Sequence, residues 1–265
     1  MTGALRVAES QRSSTADAAP LAVMTMPELD AHLLHTTLRD ELRAAWLRIH
    51  AEFGAERIYG FGLYTIDSAA WVRAVAFSEK TLDDLVARQV AAFSDGGREP
   101  ELRLFALRRG GTPDDAALQR QSLRWHLHDS PLGRFADTLL PKSGQILREL
   151  DLEGRWRNDA DMDDDEFEEA LEQGDPDVDE VFRVFHQSLA DLDLEGVFGH
   201  GPARHRLVLS IWEGDQSDEA RYAFAKALNP PTVVARFGRE MNEGAHACDR
   251  LFHGPEVQRE DSVFE

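Results

Sequence analysis

Cysteine is nearly missing from this 265-residue chain: Cys248 stands alone, so no internal disulfide can form and nothing points to an oxidising compartment. Long apolar runs are missing too, and with them any stretch able to span a bilayer. Met1 to Pro20, rich in Ala, Ser and Thr, lack the basic start and apolar centre of a secretory signal, and the expectation is a soluble, cytoplasmic protein. Basic residues are scarce. The 29 Lys and Arg stand against 49 Asp and Glu, a formal charge of -20, which argues against a nucleic-acid partner or an anionic membrane. The familiar reaction signatures are absent as well: no Gly-x-Ser-x-Gly elbow, no His-Glu-x-x-His pair and no phosphate loop ending in Gly-Lys-Ser/Thr. Gly60-x-Gly62 lacks the third glycine of a dinucleotide fingerprint and lies inside a predicted strand.

What is present is an apolar hairpin. Ile58, Tyr59, Phe61, Leu63 and Tyr64 run almost unbroken with Gly60 and Gly62 between them, the pattern of a strand buried on both faces. Asp67 and Ser68 offer turn chemistry, and Trp71, Val72, Val75 and Phe77 resume an extended pattern. Before it, Leu29 to Phe53 repeat at helical spacing, predicting a helix from near Pro27 to Gly54. After it, Thr81 and Asp84 resemble a capping box for a helix closed by Gly96 and Gly97. Leu102 to Leu107 reads as a strand, and so does Ser122 to His128, where Leu123, Trp125 and Leu127 alternate with polar residues. Helices follow over Pro131 to Leu150, broken near Pro141 and Gly144, and along the stripe from Val178 to Leu192. Leu207 to Trp212 suits an interior strand; Tyr222 to Leu228 and Val233 to Met241 are two further helices.

Adjacent strands joined by a short turn favour antiparallel pairing, so the expected fold is one α+β domain, a central, largely antiparallel sheet flanked by helices. The expected limits are a disordered tail over residues 1–24, the domain over 25–243 and a weakly structured tail over 244–265. Within the domain, Asp159 to Glu180 holds thirteen acidic residues and no Lys or Arg, leaving 36 acids against 29 bases elsewhere. One segment carries most of the charge asymmetry, and it reads as an acidic insertion.

Three short motifs carry a resemblance. Tyr59-Gly60-Phe61-Gly62-Leu63-Tyr64-Thr65, Glu195-Gly196-Val197-Phe198-Gly199 and Ala227-Leu228-Asn229-Pro230 together resemble a bacterial family known as domain of unknown function 4303, over roughly Leu38 to Met241. The resemblance implies no reaction, cofactor or catalytic residue. By analogy alone, compact families of this kind include interaction and immunity-type proteins.

The candidate sites are then few. The acidic residues Asp161, Asp163, Asp164, Asp165, Glu166, Glu168 and Glu169, with Trp156 as an exposed anchor between Arg155 and Arg157, are expected to hold a basic protein partner. Asp161, Asp163, Asp165, Glu169 and Glu172 also match positions of a calcium loop, but the turning position, which wants glycine, is Glu166. The rival is an enzyme with a polar site near Arg124, His126 and His128; on a strand the two imidazoles would share a face and begin a zinc site, yet no spacing specifies further ligands. Cys248 beside His246 is a weaker candidate for a thiol and its base. No metal and no cofactor are called for.

Overall fold

A computed structural model describes residues 28–54, 57–66, 69–125, 138–152, 176–214 and 216–254. Helix α1 (Ala31–Phe53) starts where Asp30 accepts a hydrogen bond from the Leu33 N–H at 2.9 Å, and buries Leu34, Leu38, Leu42, Trp46 and Ile49 along one stripe. The hairpin β1 (Ile58–Thr65) and β2 (Val72–Ser78) follows. Ser78 then caps α2 (Glu79–Phe93) in a reciprocal pair with Thr81, each hydroxyl accepting from the other's backbone N–H at 3.1 and 3.2 Å. The capping box therefore sits three residues earlier than the Thr81–Asp84 pairing predicts.

Helix α3 (Pro100–Arg108) occupies a place where alternation predicts a strand, and α4 (Ala116–Leu123) takes Ser122 and Leu123 from the start of the other, whose residues 126–128 lie outside the described residues. Pro100 at the first helical position and the run of Glu, Leu, Arg and Ala favour helix in α3, while Asp115 fixes the start of α4 by accepting from the Ala117 and Leu118 N–H groups. Period-two patterning lost to capping and propensity in both. Helix α5 (Pro141–Leu150) begins at the proline, and Glu41 of α1 accepts from the N–H groups of Lys142 and Ser143 at 2.9 and 3.0 Å, a carboxylate supplied across the core to a helix N-terminus. Next come α6 (Pro176–Leu194), the single turn α7 (Gly201–Arg204), β3 (Val208–Glu213), α8 (Asp218–Leu228) and α9 (Pro231–His253). Helix α9 continues past Gly244, where the sequence patterning fades, because Ala247 and Leu251 still bury against Leu118 of α4.

The sheet has the order β2-β1-β3 and is mixed. The antiparallel expectation holds for β1 and β2; β3 instead lies parallel to β1, as a long connection through several helices permits. With helices on both faces this is an α+β domain. One core lies between the sheet and α1, α5 and α6, with Phe61, Leu63, Leu209 and Ile211 facing Leu38, Trp46, Leu147, Phe185 and Leu189. The other lies between the sheet and α4 and α9, where Trp125 meets Tyr59 and Phe237 edge to face and Phe77 packs at a tilt on Trp212. A bulge between Ile58 and Gly60 turns Tyr59 toward this second core. No helix among the described residues is long and apolar enough to cross a membrane.

Candidate functional site

Arg124 is where the sequence points first, and the structure makes it the C-cap of α4 rather than part of a strand. Its guanidinium bridges two carboxylates on different helices: Nη2 to Glu79 Oε1 and Nε to Glu240 Oε2, both at 3.1 Å. The same group lies 4.3 Å from the centre of the Tyr59 ring, and the Tyr59 hydroxyl donates to the Arg124 carbonyl at 2.7 Å. Arg120, one turn earlier, meets both Glu79 and Asp83, and Arg236 stands 3.8 Å from Glu240. The cluster joins α2, α4, α9 and β1.

Electrostatics tie the group together. Burial lowers the Arg124 pKa, but Glu240 and Glu79 outweigh it and the guanidinium's pKa rises above its ordinary value. Burial pushes the Tyr59 hydroxyl up in turn, against the pull of Arg124. A phenol held protonated and an arginine held charged make a donor and a fixed cation, not an acid and base poised near neutral pH. Beside them α4, α8 and α9 enclose an open cleft of about 200 Å³ containing Trp125, Asp218, Arg221, Glu240 and Cys248. Cys248 and His246 both belong to α9, and residues two apart on a helix do not face each other, so the thiol and imidazole form no pair.

The sequence could not have assembled this cluster. Tyr59, Glu79 and Glu240 lie far from Arg124 along the chain, and no spacing relates them. His126, His128, Trp156, Asp161, Asp163, Asp164, Asp165, Glu166, Glu168 and Glu169 lie outside the described residues, as does the calcium-like spacing. Among the described residues, no three His, Cys, Asp or Glu side chains are placed to hold a metal ion.

The three recurrent motifs take structural positions. A Cβ on Gly62 would stand 1.8 Å from the Ser210 carbonyl oxygen and 2.9 Å from the Trp212 ring; one on Gly60 would stand 2.9 Å from the Phe77 and Trp125 rings. The bare backbone of β1 is what lets those rings close over the sheet. Gly196, at φ 76°, ends α6 in a Schellman motif, with the Val197 N–H reaching the Leu192 carbonyl and the Gly196 N–H reaching Asp193. Asn229 ends α8 and clips it to β3, bonding Leu209 at both N–H and C=O. Buried Arg204 then joins the end of α6, just before the second motif, to the third, donating to Asp193 at 2.5 Å, to the Leu207 and Leu228 carbonyls, and to Asn229. A family model described as domain of unknown function (DUF4303) matches residues 38–230, which contain all three motifs. No curated protein and no solved structure matches the chain.

Proposed function

The chain belongs to the DUF4303 family, whose description assigns no activity, and we propose that it acts as a cytoplasmic protein-binding module that captures a basic partner through its acidic run. The observation that carries this reading is the thirteen acidic residues without a Lys or Arg between Asp159 and Glu180. So much like charge in one segment repels itself, and its compensation is attraction of a cationic surface at low ionic strength. The last of these residues, Asp177, Asp179 and Glu180, open α6, whose next turns bury Val181, Val184 and Phe185 in the core. The run is therefore tethered to a helix fixed in the fold.

Helix α3 adds support of a different kind. Leu102, Leu104, Phe105 and Leu107 are each 41–52% exposed, and among its nine residues Ala106 alone is buried. Four exposed large apolar side chains on one short helix support an interaction surface there. The rival enzyme reading draws less from the geometry, because Glu79 and Glu240 are both engaged by Arg124. The test is capture of a lysine-rich protein, histone H1, on immobilised chain across a salt series. Changing the acidic residues of 159–175 to Asn and Gln should weaken capture and flatten its dependence on salt; equal capture by both chains overturns the reading.

A further inference from the structure

We propose that the cleft at the leading ends of β1 and β3 binds a phosphate monoester carried on a flat or apolar body. The two strands run parallel with Gly60 opposite Val208; Arg57 immediately precedes β1, Arg206 stands two residues before β3, and both reach the same cleft. Both arginines are exposed, both line a cleft of about 350 Å³, and among the described residues no carboxylate lines it with them. In a chain of formal charge -20 that combination is unexpected by chance placement of charge. Neither guanidinium forms an ion pair with a described residue.

The remaining wall supplies the apolar half of the site. Trp46 and Phe198 meet edge to face at 5.4 Å, and His50 lies 5.6 Å from Trp46, also on the cleft. A guanidinium fork matches a phosphate's oxygens in paired hydrogen bonds, and an aromatic wall covers a ring or an apolar chain. The volume is that of a small-molecule site. Behind the cleft, Arg236 of α9 donates to the carbonyls of His205 and Arg206 at 2.9 and 3.1 Å, holding the backbone that presents Arg206. Burial lowers the Arg236 pKa, Glu240 opposes it, and the charges of Arg124, Arg57 and Arg239 lower it further. Arg236 and Arg57 thus lie close enough to feel each other's charge. A long polyanion is disfavoured by the chain's overall charge, which leaves a compact anion as the ligand.

Calorimetric titration of the full chain with phenyl phosphate, alongside inorganic phosphate, tests the assignment. Saturable binding of phenyl phosphate is expected, about threefold tighter than inorganic phosphate because of the aromatic wall. The double variant Arg57→Gln/Arg206→Gln should lose about tenfold or more in affinity. Both side chains are exposed, and an unchanged circular dichroism spectrum and melting temperature show that the variant is folded. The chain with 159–175 neutralised should keep its phenyl phosphate affinity, which separates this site from partner capture. Absence of saturable binding, or equal affinity in the double variant, overturns the proposal.

Discussion

The Asn229 side chain satisfies both main-chain polar groups of Leu209, accepting from its N–H at 2.9 Å and donating to its carbonyl at 2.6 Å. A side-chain amide here does what a neighbouring strand would do at the edge of a sheet. The same amide donates to the Ala225 carbonyl, so the end of α8 and the start of β3 share one group.

Asn229→Ala strands the N–H and carbonyl of Leu209, a residue fully buried in the intact chain. The loss expected is about 2–4 kcal/mol, from two unsatisfied or weakened backbone groups. Asn229→Asp keeps the shape and the acceptor but removes the donor, and should cost nearly as much. Urea midpoints at unchanged slope would measure both; a change below about 0.5 kcal/mol, the range of an ordinary surface substitution, would remove Asn229 from this role.

Gly60 and Gly62 stand two residues apart on β1 and should differ in tolerance. The obstacle to a Cβ on Gly62 is the Ser210 carbonyl oxygen at 1.8 Å, a backbone atom of the neighbouring strand that cannot step aside. At Gly60 the obstacles are the edges of two rings at 2.9 Å. Gly62→Ala is expected to destabilise by about 3 kcal/mol, the upper range for overpacking, and Gly60→Ala by roughly half that. Thermal melts of the two variants, compared at equal pH, would show the order.

These residues also mark how far the fold could be read from the chain. The glycines and aromatics of β1 announced a buried strand, and the stripe of α1 from Leu34 to Ile49 announced its helix, because both patterns are local and repeated. The motif Ala227-Leu228-Asn229-Pro230 is legible as a helix end, but Asn229 is not legible as a clip to β3 twenty residues back. The strand alternation over 102–107 failed because Leu102, Leu104, Phe105 and Leu107 stay largely exposed, so their spacing reflects no buried face. The Arg124 cluster was out of reach for another reason. Ion pairs between α2, α4 and α9 leave no trace in spacing, and only the chain's return to the same place reveals them.

Tyr59 gives the domain an alkaline limit. Burial raises its hydroxyl pKa above the ordinary 10.0, so the unfolded chain releases this proton first as pH rises. Above about pH 10 the folded state therefore binds more protons than the unfolded one, and stability falls with rising pH. The contribution is intact at neutral pH and is lost only as pH climbs toward the folded value. Tyr59→Phe should lower stability at pH 7 by about 1 kcal/mol, through the lost bond to the Arg124 carbonyl. It should also flatten the decline above pH 10. Chemical denaturation at pH 8, 10 and 11 would check it; parallel pH profiles for the two proteins would contradict the assignment.

If Arg124 is chiefly a clamp, its removal must be felt in the fold. Its side chain is 19% exposed and those of Glu79 and Glu240 are 21% and 16% exposed, so the three charges are partly withdrawn from solvent. Arg124→Met leaves two carboxylates on adjacent helices without the cation between them, and is expected to destabilise by about 2 kcal/mol, below the full figure for a wholly buried pair. Arg124→Lys recovers little, since one ammonium cannot span Nη2 and Nε contacts to separate helices. Pairing Arg124→Met with Glu240→Met removes a charge of each sign, and should destabilise by less than the sum of the two single changes. A double-mutant cycle in denaturant measures that coupling directly. Additive losses would mean that Arg124 and Glu240 act separately, and that the junction of α4 with α9 rests on its apolar contacts, Trp125 with Phe237 and Met241 and Leu118 with Ala247 and Leu251.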